Sequence, residues 1–105
     1  MSALIVFSTF PDAETARAIA RSVVEEQLAA CANVLPGVES IYRWKGAIET
    51  SGEVMIIFKT TGERYPGLEA RIKKLHPYEV PEIVALHPSA GLPAYLRWVE
   101  ESCAS

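Results

Sequence analysis

Between Ala29 and Thr60 the chain reads AACANVLPGVESIYRWKGAIETSGEVMIIFKT, two extended arms about a Lys45-Gly46 turn, and this segment limits the fold more than any other. The second arm ends in the unbroken apolar run Val54-Met55-Ile56-Ile57-Phe58. A strand with one wet face alternates apolar and polar residues, whereas a strand covered on both faces need not. The sheet built on this hairpin must therefore be covered on both sides. A chain of 105 residues forms one domain, 1–105, with a real core but few helices for that task. The shortfall points to other copies of the chain.

The remaining elements follow closely. Ala3 to Phe10 is apolar and β-branched and reads as a first strand. Asp12 is a good helix N-cap, because its carboxylate accepts the orphan N–H groups of the next turn. Ala16, Ile19, Ala20, Val23, Val24 and Leu28 then recur at helical spacing, predicting a helix to about Ala29. Cys31 to Trp44 is the second strand, interrupted at Pro36-Gly37, which marks an edge or a bulge. Ala47 to Thr61 is the third, with Gly52 expected as a second bulge. Glu63 to His76 reads as a helix that Pro77 stops, Val80 to His87 as a fourth strand, and Pro93 to Glu101 as a short third helix.

The order β-α-β-β-α-β plus a terminal helix is the α+β, ferredoxin-like arrangement, with strands one and three central and strands two and four at the edges. The prolines agree: Pro36, Pro81 and Pro88 fall in or beside the edge strands. Both long helices then pack on one sheet face, and the other is apolar as well. Leaving roughly several hundred Å² of it bare costs several kcal/mol at about 25 cal/mol per Å². A terminal helix of about nine residues is too short to cover four strands, so a closed oligomer is expected.

A net charge of −3 argues against a nucleic-acid binder, and the cationic cluster Arg71, Lys73 and Lys74 reads as a solvated helix face. Met1-Ser2-Ala3 carries no basic n-region and the run Leu4–Phe7 is too short for a signal peptide or membrane span, so a cytoplasmic setting is expected. The two cysteines, Cys31 and Cys103, form no C-x-x-C pair, which suits a reducing compartment.

No motif of an enzyme is present: no G-x-S-x-G, Walker loop, dinucleotide fingerprint or H-E-x-x-H. Cys31, between two alanines, reads as a small buried hydrophobe or as a soft metal ligand that needs partners from elsewhere. His76 ends a helix, where an imidazole is favoured by the helix dipole. Alternatively, His76, Glu79 and Glu82 offer one imidazole and two carboxylates within seven residues for a divalent ion such as copper or zinc, at a spacing that matches no established metal motif. His87 reads as a surface or packing residue. Lys59, after five apolar residues, either snorkels from the strand end or stands as a fixed cation at a cleft rim. Tyr42 and Trp44 share a parity near the hairpin tip, as packing or interface anchors or as the walls of a ligand cleft.

Leu28-Ala29-Ala30-Cys31-Ala32-Asn33, Ser40-Ile41-Tyr42-Arg43-Trp44-Lys45-Gly46, Phe58-Lys59-Thr60, His76-Pro77-Tyr78-Glu79-Val80-Pro81-Glu82 and Tyr95-Leu96-Arg97-Trp98, in that order, resemble the CutA family of divalent-cation tolerance proteins. The resemblance runs from about Ile5 to Trp98. It implies a ferredoxin-like subunit in a tight homotrimer whose hairpins reach across to neighbours. It further implies tolerance to copper and other divalent ions, and a trimer architecture similar to the PII signalling proteins. By matching position the family's shared cleft residues are Cys31, Tyr42, Trp44, Lys59, His76, Tyr78, Glu82 and Trp98. Some relatives carry further cysteines where this chain has Ser8 and Arg71, so a multi-thiol copper site is not available within one subunit. Metal binding would rest on Cys31, His76, Glu79 and Glu82 or on a neighbour's groups.

The sequence thus supports a cytoplasmic, non-enzymatic homotrimer that binds divalent metal ions, with no organic cofactor, nucleic acid or membrane partner expected. The alternatives are a module binding a small anion in an intersubunit cleft, with Lys59 as the charge and Tyr42, Trp44, Tyr78 and Trp98 as walls, and a stable assembly scaffold.

Overall fold

The fold is an α+β sandwich, described here from a computed structural model over residues 2–104. The order is β1 (Ala3–Phe10), α1 (Ala13–Glu25), β2 (Cys31–Trp44), β3 (Ala47–Thr61), α2 (Tyr65–Leu75), β4 (Val84–Leu86) and α3 (Pro93–Cys103). The strands form one sheet in the order β2-β3-β1-β4, so the two apolar runs are central and the proline-bearing segments lie at the edges, as the sequence implies. β1 and β3 pair antiparallel over eight residues, from Ala3 opposite Thr61 to Phe10 opposite Val54.

One sheet face carries the core. Val6, Phe10, Val54, Ile56 and Phe58 meet Ala16, Ile19, Ala20 and Val23 of α1 and Leu68 and Ile72 of α2, all buried. Asp12 caps α1 as expected, its Oδ1 accepting from the Thr15 amide at 2.7 Å, and that bond holds its carboxyl below the usual carboxylate value. A bidentate pair from Arg71 Nε and Nη2 to the Glu26 carboxylate, at 3.1 and 3.0 Å, ties α2 to the end of α1.

Four expected boundaries shift, each for a local reason. Helix α1 stops at Glu25 rather than Ala29 because Gln27 turns left-handed at φ 60°. Its N–H then bonds the Val24 carbonyl and that of Leu28 the Val23 carbonyl, the two bonds of a Schellman C-cap. Helix α2 begins at Tyr65, where the Thr61 hydroxyl receives the Arg64 amide, and ends before His76, which precedes Pro77 and is extended. Strand β4 keeps only Val84–Leu86 of the expected Val80–His87, since Pro81 cannot donate to a ladder. Helix α3 runs on to Cys103.

The hairpin contains one bulge, not two. Leu35 pairs with Met55 and Val38 with Glu53, so Pro36 and Gly37 together oppose Val54, and Gly37 takes φ +80°. Gly52 pairs regularly with Glu39. The tip is a two-residue turn with Lys45 at φ 51° and Gly46 at φ +83°, both left-handed as a twisted hairpin needs.

The second sheet face stays open. Ile5, Phe7, Met55 and Ile57 are half-buried, while Leu35, Val84 and Leu86 are 39%, 46% and 48% exposed. Helix α3 docks through Val99 and Cys103, and Arg64 Nε donates to the Cys103 carbonyl at 2.7 Å, but α3 does not cover this face.

Ser8 Oγ, on the helix-covered face, is fully buried and has no hydrogen-bond partner among the described residues. Ser8→Ala removes an unpaired hydroxyl from the core and is expected to raise stability by about 1 kcal/mol, measured by chemical denaturation at fixed protein concentration. Gln27→Gly relieves the left-handed cap and is expected to add up to about 1 kcal/mol in the same assay, less what is lost with the bond from Gln27 Nε2 to the Ala104 carbonyl.

Candidate functional site

An open concavity of about 660 Å³ lies between the hairpin and the segment after α2. Its aromatic walls are Tyr42, Trp44 and Tyr78, and its charged lining is Glu53, Glu79 and Glu82. Tyr42, Trp44 and Glu53 share a sheet face: Tyr42 pairs with Glu49, Trp44 with Ala47 and Val38 with Glu53. On β3 those positions continue the parity of Met55 and Ile57, so the concavity opens on the uncovered face.

His76 anchors the far wall. Its ring is buried and stacks on Phe10, with centroids 4.7 Å apart. Nε2 donates to the Thr9 carbonyl at 2.7 Å, on the edge of β1 beyond the reach of the short β4. Nδ1 accepts the Tyr78 amide at 3.1 Å. With a carbonyl on one nitrogen and an N–H on the other, the ring is the neutral Nε2–H tautomer and has no lone pair left. His76 is thus a structural clamp that sets the direction of the chain into Tyr78. This corrects the metal set His76, Glu79 and Glu82 read from spacing.

Tyr78 is half-buried and its hydroxyl donates a hydrogen bond to Glu53 Oε2 at 2.7 Å. Burial first, and then the bond and charge of Glu53, push the phenol well above its ordinary value of 10.0. Tyr42 shares a hydrogen bond of 3.3 Å with Ser51, and Lys45 Nζ lies 5.6 Å from the centre of the Trp44 ring.

The remaining candidates lie elsewhere. Cys31 pairs in register with Lys59 and Lys59 with Ile5, whereas His76 holds Thr9, four residues along β1, or about 13 Å at 3.3 Å per residue. Cys31 and His76 therefore do not share a site within one chain. Lys59 Nζ donates to Asn33 Oδ1, which also lies 3.9 Å from Cys31 Sγ. Lys59 stands six residues from Glu53 on β3, about 20 Å away, so one chain's concavity lacks the expected cation. Trp98 sits on α3 against Tyr95, ring centres 5.7 Å apart, not against Tyr42 or Trp44. Among the described residues no group of three His, Cys, Asp or Glu side chains is placed to hold a metal ion.

Glu53 escaped the sequence reading. Its signal was a carboxylate on the parity of Met55 and Ile57, immediately before the apolar run. Asn33, the partner of Lys59, carried no comparable signal.

Because its folded pKa is raised, the protonated Tyr78 contributes stability that is present below pH 10.0 and lost as the pH rises through the folded value. In a tyrosinate absorbance titration, Glu53→Gln should bring one phenol down toward 10.0 without reaching it, since burial is the larger cause. A titration unchanged by Glu53→Gln would contradict the assignment.

Comparison with known proteins places this geometry. The family described as "CutA1 divalent ion tolerance protein" matches residues 4–102. The divalent-cation tolerance protein CutA of Thermus thermophilus is 49% identical over 98 residues, which are 93% of this chain and 95% of that protein. Protein CutA of Homo sapiens is 45% identical over 95 residues, 90% of this chain but 53% of that protein, so the chain spans about half the length of the human relative. The crystal structure of CutA from Xylella fastidiosa aligns with a TM-score of 0.95 at 41% identity, covering 99% of this chain and 100% of that one. The chain belongs to the CutA1 divalent ion tolerance family.

Proposed function

We propose that this protein is a non-enzymatic, cytoplasmic homotrimer that binds divalent metal ions, copper among them, and serves tolerance to those ions. The observation that carries the reading is the charge of the concavity: three carboxylates, Glu53, Glu79 and Glu82, against one ammonium, that of Lys45 over the Trp44 ring. Family membership supplies the ion class. Oxygen donors suit hard and borderline divalent ions, and among these Cu²⁺ stands high in the Irving–Williams order. A thiolate Cu(I) centre finds less support, since Cys31 is remote from the concavity and Cys103 is buried. No three donors converge within the described residues of one chain, so a neighbouring copy completes the site. The open face with Leu35, Val84 and Leu86 supplies the surface on which that copy sits, and its exposed apolar area favours a closed assembly.

Light scattering at micromolar concentration should give three times the chain mass of 11.5 kDa, and a monomer would overturn the assembly. Calorimetric titration with Cu²⁺ and then Zn²⁺, in a weakly chelating buffer, should show saturable binding. Glu79→Gln/Glu82→Gln is expected to weaken it about tenfold, and Cys31→Ala to leave it unchanged. Loss on Cys31→Ala alone moves the ion to the thiol, and absence of saturable heat in the wild type ends the metal-binding reading.

A further inference from the structure

His76 joins three parts of the chain through one imidazole. Its ring lies on Phe10, its Nε2 donates to the Thr9 carbonyl of β1, and its Nδ1 accepts the Tyr78 amide. The ring is 7% exposed within a single chain, and a neighbouring copy can only bury it further. These contacts are complete in one subunit and do not wait for another.

The segment that follows depends on this imidazole. Among the described residues, 77–82 make no backbone–backbone hydrogen bond. Two side-chain bonds tie the segment to the rest of its own chain, both through Tyr78: the amide to His76 Nδ1 and the hydroxyl to Glu53 Oε2. Pro77 and Pro81 have no N–H to offer.

The two ring nitrogens respond differently to a proton. A lone pair at Nδ1 exists only in the neutral ring. Protonation there turns the acceptor into a donor and sets it against the Tyr78 N–H. Nε2 already carries its hydrogen, so the imidazolium keeps the bond to the Thr9 carbonyl, now charge-assisted. The ring stays seated on β1 and only the Tyr78 side lets go. Imidazole is the side chain that ordinarily changes charge between about pH 5 and 8, whereas carboxylates, phenols and ammoniums ordinarily do so outside that window. The titratable groups around this end of the fold are Asp12 at the start of α1, Tyr42 on β2 and Glu53 on β3, whose charges all reach Tyr78. Lys73 and Lys74 in the last turn of α2, and Glu79 beyond Tyr78, complete them.

We propose that His76 is a proton-operated latch: protonation of Nδ1 breaks the bond to the Tyr78 amide and releases the segment from Pro77 to Glu82, while the ring holds β1 and the sheet stays folded. The latch acts on the segment that carries Glu79 and Glu82, and it needs no ligand.

The test is NMR of the intact assembled protein, without added metal, between pH 8 and 5, following the His76 ring, the Tyr78 amide and the amides of β1 and β3. The chain has two histidines, and His87→Gln leaves the His76 ring as a single signal. The Tyr78 amide is expected to shift with the midpoint of the His76 ring. Once the ring is charged, that amide should exchange with solvent about tenfold faster, relative to the intrinsic rate at each pH. The amides of β1 and β3 should hold their shifts. His76→Phe keeps a ring against Phe10 without the acceptor, so it should show the faster Tyr78 exchange already at pH 8 and no step on acidification. The wild-type titration decides the matter if this variant does not fold. A Tyr78 amide that stays fixed while the His76 ring titrates overturns the proposal, and so does a ring that does not titrate before the sheet unfolds. A Tyr78 midpoint below that of the ring assigns the change to a carboxylate and overturns it as well.

Discussion

The structure depends on the antiparallel pairing of β1 with β3. Eight consecutive residue pairs join the two most apolar segments of the chain in the middle of the sheet. One side of that pairing receives α1 and α2 and forms the dry core. The other offers Ile5, Phe7, Met55 and Ile57 to a face the chain does not cover by itself. Two consequences descend from one cause. A central pair of strands that is apolar on both parities excludes water from one side by folding, and from the other only by association.

Much of this was legible in the amino acids because the signals were strong and local. The apolar run Val54–Phe58, the Asp12 cap and the Lys45-Gly46 turn each have one dominant structural solution, and the strand order follows from where the prolines cannot go. Boundaries were less legible. Nothing in Gln27 announces a left-handed C-cap that glycine would usually supply, and the loss of Val80 to Ile83 from β4 depends on what the edge of β1 finds instead of a strand.

The site divides in the same way. Spacing sets Glu79 and Glu82 near each other, and in the fold both line the concavity with Tyr42, Trp44 and Tyr78. It could not show that the His76 imidazole is fully committed, because both bonds, to the Thr9 carbonyl and from the Tyr78 amide, need the third dimension. Nor could it show Glu53 reaching Tyr78 from another strand. A histidine near two glutamates suggests coordination in one dimension, and folding turns it into a fastener that presents the tyrosine.

The bulge at Pro36-Gly37 governs more than local twist. Ahead of it, odd-numbered residues of β2 face the open side, as Cys31, Asn33 and Leu35 do through their pairing with Lys59, Ile57 and Met55; beyond it the even-numbered ones do, through Val38, Ser40, Tyr42 and Trp44. The extra residue is a phase shift in the alternation of side chains. Removing Gly37 would let the arm run as a regular strand from Leu35 through Pro36 to Val38, with Val38 still opposite Glu53 and Tyr42 and Trp44 still on the open side. The bulge absorbs an extra residue without turning the aromatic wall, and the conformational cost falls on Gly37, left-handed at φ +80°. At this one place the arm can differ in length by a residue and keep its faces.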